Sequence, residues 1–169
     1  KQVFTFPVKN YYEQIGFDFA KEPFDIPALQ FIGYYQKLLP LANLFNDVDK
    51  VLSELENKGY QQFILSAMEQ QNLNQSVKNL GIDQYFKTIA GIDNHYAHSK
   101  IDRGVSLIKK HKINTTETLM IGDTLHDLEV ADRLGIHCIL IAQGHQNYNR
   151  LNLNGNIVLS ELSKLLEIL

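Results

Sequence analysis

From residue 47 onwards, apolar and polar positions alternate between two spacings. Apolar residues three and four apart predict amphipathic helices, and short continuous apolar runs predict strands. The predicted helices are VDKVLSELENKGY, QNLNQSVKNLG, KIDRGVSLIKKHK, DLEVADRLG and SELSKLLEIL, and the predicted strands are QQFILSA, YFKTIAG, TLMIGD, HCILIA and GNIVL. Helices and strands in alternation predict an α/β fold, a Rossmann-like parallel sheet with helices on both faces.

Residues 1–46 have a different pattern, rich in aromatic side chains at roughly helical spacing. Pro7 is placed to open a first helix that Gly16 ends, and Pro27 is placed to open a second. An aromatic stripe of this kind is either a packing face or a ligand cage. The change of pattern predicts two parts, a helical segment at residues 1–46 and an α/β core at residues 47–169.

Composition narrows the class of function. The 169 residues include 16 Lys and Arg against 19 Asp and Glu, a net charge of −3 without a long basic run. Electrostatics therefore give no support for a nucleic-acid or membrane-surface partner. The apolar stretches are too short for a transmembrane span or a signal sequence. Cys138, the single cysteine, excludes an intrachain disulfide and favours a reducing cytoplasm.

Two aspartates four residues apart stand where a predicted strand passes into a helix, in LMIGDTLHDLEVA. Ligands of parallel sheets lie at the carboxyl ends of strands, which is the position of Asp123. Asp127 follows one helical turn later, so its carboxylate can return toward the same point. Two converging carboxylates repel unless a cation lies between them, and Mg²⁺ prefers oxygen ligands of this kind. The alternative is that Asp127 caps the helix.

Two more polar residues stand near other strand ends. Ser66 follows QFIL, where its hydroxyl and the next backbone amides can hold phosphate oxygens, although a lone serine here is commonly a helix cap. Lys100 starts another helix, where a cation is unfavourable to the helix dipole unless an anion lies in front of it. A hydroxyl, an ammonium and an acid pair at successive strand ends of one sheet together predict a phosphate site.

This ordered set resembles the haloacid dehalogenase superfamily of aspartate-nucleophile phosphatases, and within it the phosphoglycolate-phosphatase-like members. FILSA with Ser66 is similar to the second motif of that family, Lys100 to the third, and IGDTLHD with Asp123 and Asp127 to the fourth. The resemblance covers the chain from about Asp47 to its end. The aromatic helices before it are then part of the helical cap of the family.

The resemblance implies a magnesium-dependent phosphatase acting on a small phosphorylated metabolite. In that case Asp123 binds Mg²⁺ directly and Asp127 holds it through water or orients its shell. Ser66 binds an oxygen of the transferring phosphate, and Lys100 offsets charge between the nucleophile and the phosphate. Phosphoryl transfer to an aspartate and hydrolysis of the acyl phosphate replace one difficult displacement with two easier ones.

The first motif of the family is absent from the sequence. That motif is an apolar strand followed by Asp-x-Asp-Gly-Thr, and Asp18, in GFDFAKEP, lacks both the preceding strand and the second aspartate. Either the nucleophile strand lies outside these 169 residues or the protein is a natural pseudoenzyme. The family places this strand between the strands of its second and fourth motifs. We therefore expect a gap or a different pairing there.

Other functions have less support. A receiver domain has its acid pair first and its lysine last, the reverse of the order here, and a dinucleotide-binding domain needs a Gly-x-Gly-x-x-Gly turn that the sequence lacks. A non-catalytic phosphate-binding or regulatory protein on the same fold stays open. His95 and His98 are assigned to loop or solvent positions because no third metal ligand of suitable spacing accompanies them. His126, inside the acid motif, is expected to face solvent or the cap.

Overall fold

The structure, a computed structural model, describes residues 3–5, 8–92 and 99–169. The helices are α1 (Val8–Gln14), α2 (Asp25–Leu38), α3 (Val48–Asn57), α4 (Gln70–Asn79), α5 (Ser99–His111), α6 (Leu125–Leu134) and α7 (Tyr148–Leu151). The strands are β1 (Gln62–Glu69), β2 (Phe86–Ile92), β3 (Leu119–Gly122), β4 (His137–Ile141) and β5 (Val158–Leu159). Among these described helices, none is long and apolar enough to cross a membrane.

All strand pairs are parallel, and they form two separate ladders. β1 pairs with β2, and β3, β4 and β5 follow one another in a second ladder. Within the described residues, β1 and β3 do not pair with each other. The α/β fold with parallel strands is confirmed. So is the expected interruption between the strand of Ser66 and the strand that leads to Asp123.

Helix α3 joins the two ladders on one face. Val51 and Leu55 pack against β4 and the C-terminal segment, whereas Leu52, on the same helix, packs against α4 and the edge of β1. These three positions are buried, as the apolar spacing predicts, and Val48 is half-buried. Because one amphipathic helix contacts both ladders, it holds them side by side although they share no hydrogen bond in the described part of the chain.

Helices α5 and α6 cover the opposite face. A Cβ atom at Gly104 of α5 would lie 2.5 Å from Leu134 Cδ1 of α6 and 3.2 Å from Leu65 Cδ2 of β1. No larger side chain fits there without a shift of its neighbours. α5 therefore packs closely against α6 and β1, and the predicted helices on both faces are confirmed.

The aromatic residues of the N-terminal segment form a packing cluster. Tyr12 is buried, and its ring lies 5.1 to 6.5 Å from the rings of Phe17, Phe24 and Phe31. The packing alternative therefore describes the rings around Tyr12, whereas Tyr34, Tyr35 and Phe45 are 41–66% exposed. Pro7 lies outside the described residues. α2 begins two residues before Pro27, so this proline occupies the first turn rather than opening the helix.

The last predicted helix is wrong in type. Residues Leu162–Glu167 form a 3₁₀ helix, not the α-helix expected of SELSKLLEIL. A period of three places Leu162 and Leu165 on one side, toward α3. The amides of Leu162 and Ser163 bond to the side chains of Gln143 and Asp47, which also fixes the entry of this segment.

The thiol of Cys138, on β4, is expected to be unreactive in the folded chain. Burial raises its pKa to about 12, and the carboxylates of Asp127 and Asp132 add to the effect. At pH 8 only about one thiol in ten thousand is then ionised. Ellman's reagent should modify the denatured chain completely while the native chain stays unmodified. A native rate within tenfold of the denatured rate would contradict this.

Candidate active site

The loop between β3 and α6 is organised by the carboxylate of Asp127. Its Oδ2 accepts hydrogen bonds from Thr124 Oγ1 at 2.7 Å, Thr124 N at 3.0 Å and Asp123 N at 3.1 Å. Thr124 caps α6 and forms a capping box with Asp127. The alternative that Asp127 caps α6 is therefore confirmed, and its Oδ2 is the oxygen that does so. The same bonds hold the backbone of Asp123 at the end of β3.

The second oxygen of Asp127 contacts Lys100 at the start of α5. Lys100 Nζ donates to Asp127 Oδ1 at 2.5 Å, and the two side chains are only 10% and 11% exposed. The anion required in front of this helix terminus is thus supplied by the chain itself. Both oxygens of Asp127 are engaged by protein donors, so it joins Lys100 to the Asp123 loop.

Asp123 is held from the other side by the loop after β4. Its Oδ2 accepts from the backbone amide of His145 at 2.7 Å and lies 2.7 Å from His145 Nδ1. Burial opposes ionisation of Asp123, but the hydrogen bonds and charge of His145, with a contribution from the charge of Lys100, outweigh it and lower the pKa. The carboxylate is therefore ionised at neutral pH, and Oδ1 takes part in none of these bonds.

Two glycines make room for the two aspartates. A Cβ at Gly122 would lie 2.2 Å from Asp127 Cβ, and a Cβ at Gly144 would lie 2.0 Å from Asp123 Oδ2. Both distances are far below any real contact. Glycine is needed at both positions because an aspartate side chain lies directly against the backbone there, at the end of β3 and in the loop after β4.

Ser66 lies inside β1, and not after it as the apolar run indicated. β1 continues to Glu69 through a register shift after Leu65, and Glu69 caps α4 through bonds from Gln71 N and Asn72 N. Ser66 Oγ instead accepts from Met68 N at 3.1 Å. In the described part of the chain it forms no hydrogen bond with Lys100, Asp123 or Asp127. Its phosphate-binding role stays a prediction.

A cavity of about 250 Å³ lies beside Asp123. Of the four predicted site residues, Asp123 alone lines it. The other lining residues are Phe45, Val48, Ile121, Gly122, Ile141, Gln143, Gly144 and Leu162. The hydrogen bonds thus bring Lys100, Asp123 and Asp127 together. The prediction that these three residues and Ser66 surround one cavity is not met by this cavity, since Asp123 alone of the four lines it.

The carboxylate oxygens of Asp123 and Asp127 suit Mg²⁺ better than a metal ion that takes all its ligands from the protein. No group of three or more His, Cys, Asp or Glu side chains in the described ranges is arranged to hold a metal ion. Mg²⁺ needs only one or two carboxylates, with water and substrate phosphate completing its shell. Asp123, with Oδ1 available, suits a direct ligand, and Asp127 suits an orienting role. His95 and His98 lie outside the described residues.

The sequence predicts that residues 144–150, GHQNYNR, follow a strand end and border the site, but it assigns His145 and Gln146 no contact with Asp123. His145 and Gln146 follow β4 in IAQGHQN, at the same carboxyl edge as Asp123. The rule that placed Asp123 at a strand end applies equally to this loop. Thr124 was also missed, although threonine three residues before Asp127 is a recognisable capping-box spacing.

The chain matches a family model described as haloacid dehalogenase-like hydrolase over residues 1–141. It is 25% identical over 137 residues to phosphoglycolate phosphatase of Vibrio parahaemolyticus, covering 80% of this chain and 60% of that protein. It is 24% identical over 143 residues to 5'-nucleotidase of Pseudomonas aeruginosa, covering 80% and 62%. The chain therefore spans about three fifths of the length of these curated relatives.

Solved structures share the fold. A haloacid dehalogenase-like family hydrolase of Streptococcus pneumoniae matches with a TM-score of 0.79 at 22% identity, covering 96% of this chain and 76% of that one. Protein tyrosine kinase A of Mycobacterium tuberculosis matches with a TM-score of 0.80 at 17% identity, covering 99% and 78%. At these identities the likeness establishes the architecture alone.

Proposed function

Since the chain belongs to the haloacid dehalogenase-like hydrolase family, we propose that the protein is a magnesium-dependent phosphatase of a small phosphorylated metabolite, acting through an aspartyl phosphate. The observation that carries the proposal is the continuous contact from Lys100 through Asp127 to the Asp123 loop, at the carboxyl edge of the strands. The relatives named phosphoglycolate phosphatase and 5'-nucleotidase support a phosphate substrate.

Each side chain of the site has a role in this proposal. Asp123 would hold Mg²⁺ through Oδ1, and the ion would offset the negative charge of the phosphate. Lys100, fixed by Asp127, places an ammonium where charge develops between the nucleophile and the transferring group. Ser66 would bind a phosphate oxygen near the end of β1. Asp127 orients Lys100 and the backbone of Asp123 without touching the substrate.

The proposed nucleophile is an aspartate on a strand between β1 and β3. Two facts support that location: the two strands do not pair in the described part of the chain, and the 169 residues contain no Asp-x-Asp-Gly-Thr motif. We keep, as part of this proposal, the division into a helical cap segment at residues 1–46 and a core at residues 47–169. The cytoplasm as compartment stays a prediction that rests on the single cysteine.

Hydrolysis of p-nitrophenyl phosphate tests the proposal. The 169-residue chain should be inactive, because none of its site residues is placed to attack phosphorus. A chain extended at its N-terminus by a strand that carries Asp-x-Asp-Gly-Thr should hydrolyse the ester with Mg²⁺, and chelator should stop the reaction. In the extended chain, Asp123→Asn should abolish turnover, because it removes the proposed metal ligand; the loss of a single charge-stabilising contact alone would raise the barrier by about 3 kcal/mol, or about 10²-fold in rate. Lys100→Ala should reduce turnover strongly.

Asp132→Asn is the matched control, because Asp132 is an exposed carboxylate on α6. It should leave turnover unchanged. Activity of the 169-residue chain would place the nucleophile among residues assigned other roles here. An extended chain that carries the motif but stays inactive on a broad panel of phosphate esters would contradict the enzyme proposal.

A non-catalytic phosphate-binding protein is the second candidate, favoured by the absent first motif. It predicts binding without turnover. Calorimetric titration with inorganic phosphate and Mg²⁺ should then show saturable binding that Lys100→Ala weakens, while no ester is hydrolysed by either form of the chain.

A further inference from the structure

Three consecutive residues after β4 contact the loop between β3 and α6 that carries Asp123. Gly144 lies directly against the carboxylate of Asp123, and His145 bonds to its Oδ2 through both the backbone amide and the ring. Gln146, 3% exposed, accepts a hydrogen bond from Leu125 N, the first amide of α6, at 2.8 Å. The segment 144–146 thus contacts both ends of the loop that carries Asp123.

Two of these residues, His145 and Gln146, also contact the N-terminal segment. The ring of Phe4 lies 4.8 Å from the His145 ring at an angle of 32°, and Gln146 Nε2 donates to the carbonyl oxygen of Phe4 at 3.0 Å. From Phe4 the ring contacts continue to Tyr11 at 5.3 Å and then to Tyr12 at 5.8 Å. A continuous line of rings therefore connects the buried centre of the helical segment to the partner of Asp123.

We infer that His145 is a positioning residue, held by Phe4, that orients the Asp123 carboxylate and so couples the helical segment to the proposed metal ligand. With two donors on Oδ2, the carboxylate can present only Oδ1 to an ion. Removal of Phe4 takes away the ring that packs on His145, and removal of the His145 ring takes one of the two donors from Oδ2 and leaves the carboxylate held by the backbone amide. This inference rests on the proposed function, and it concerns residues to which no role in the reaction has been assigned above.

Imidazole NMR of the metal-free 169-residue chain tests the first link. A carboxylate accepts only, so the short contact requires the proton on Nδ1 of His145, with Nε2 unprotonated in the neutral ring. Long-range ¹⁵N–¹H spectra at pH 8 should show this tautomer for His145. Exposed His137, the first residue of β4, serves as the matched control and should show both neutral tautomers. Phe4→Ala should move the His145 spectrum toward that of His137.

Titration with Mg²⁺ alone tests the second link. His145→Ala should weaken Mg²⁺ binding by about 10-fold to 100-fold, the usual effect of removing a group that orients a metal ligand. Phe4→Ala should weaken it less, and in the His145→Ala background Phe4→Ala should have no further effect, because Phe4 acts through His145. His145→Asn, which keeps a donor at the position of Nδ1 but loses the ring, should retain affinity and be insensitive to Phe4→Ala.

Phe19→Ala removes an aromatic ring of the same cluster that does not contact His145, and it should leave Mg²⁺ affinity unchanged.

Additive effects of Phe4→Ala and His145→Ala would overturn the coupling. A His145 spectrum identical to that of His137 would overturn the contact itself. If the wild-type chain shows the Nδ1 tautomer but binds no Mg²⁺, the metal site of the proposed function fails, and with it the coupling to a metal ligand. Inactivity toward phosphate esters, with the Mg²⁺ results as expected, would contradict only the phosphatase proposal.

Discussion

Replacing Lys100 by methionine is expected to lower the free energy of unfolding by about 3–5 kcal/mol. The Lys100 and Asp127 side chains are 10% and 11% exposed and meet at 2.5 Å. Methionine fills a similar volume but leaves the Asp127 carboxylate without its cation. Urea denaturation of the 169-residue chain at pH 7 measures the change.

The exposed pair of Lys21 and Asp18 is the matched control. These side chains are 83% and 48% exposed and lie 2.9 Å apart. Lys21→Met should therefore cost no more than about 1 kcal/mol. In the Lys100→Met background, Asp127→Asn should restore part of the lost stability, because it removes the unpaired charge. Equal costs at the two lysines would show that the Lys100 pair is not effectively buried.

This expectation affects how activity data on Lys100 are interpreted. A loss of turnover in Lys100→Ala combines a missing contact to phosphate with a loosened Asp123 loop, since Lys100 and that loop share Asp127. Activity measured well below the unfolding transition separates the two effects. Saturation of Mg²⁺ binding provides a second control, because a loosened loop weakens metal affinity whereas a missing phosphate contact does not.

The fold was predictable because each element carries its own periodic signal. Val51, Leu52 and Leu55 are buried as their spacing predicts, and Gly135 ends α6 with a φ of +68°. The unpaired strands were predictable only through the family resemblance, which locates a strand that the sequence lacks. The C-terminal segment was not predictable, since Leu162 and Leu165 fit a 3₁₀ period as well as an α period over so short a stretch.

The part of the site made of charged residues at or near strand ends was predictable from the sequence. Asp123, Asp127 and Lys100 come together because parallel strands bring their carboxyl ends to one edge. The choice between capping and metal binding at Asp127 was not predictable, and the pairing of its second oxygen with Lys100 was not among the alternatives. The strand-end rule places the loop of His145 beside the site, but its contact with Asp123 was not predictable, because that contact spans 22 residues and follows no periodic signal.

Gly122→Ala is expected to destabilise the chain by about 3 kcal/mol, at the upper end of ordinary overpacking costs. The added methyl would lie 2.2 Å from Asp127 Cβ, an atom attached directly to the first turn of α6. Rotation of the Asp127 side chain cannot move that atom, so the helix itself must shift. Gly33→Ala, in α2 with nothing within 4 Å, is the control and should be neutral or stabilising by up to about 1 kcal/mol.

Gly144→Ala should behave differently, although its methyl would lie even closer, 2.0 Å from Asp123 Oδ2. Rotation of Asp123 moves that oxygen away at the expense of the bonds to His145. Asp123 Cβ would still lie 2.5 Å from the methyl, against 2.2 Å for Asp127 Cβ at Gly122, so the backbone must also shift, but in a loop and by less. We therefore expect a smaller loss of stability than for Gly122→Ala but a clear loss of Mg²⁺ affinity. Urea denaturation and Mg²⁺ titration of both variants make the comparison. If Gly144→Ala bound Mg²⁺ as the wild type does, the orientation of Asp123 by this loop would not matter for metal binding.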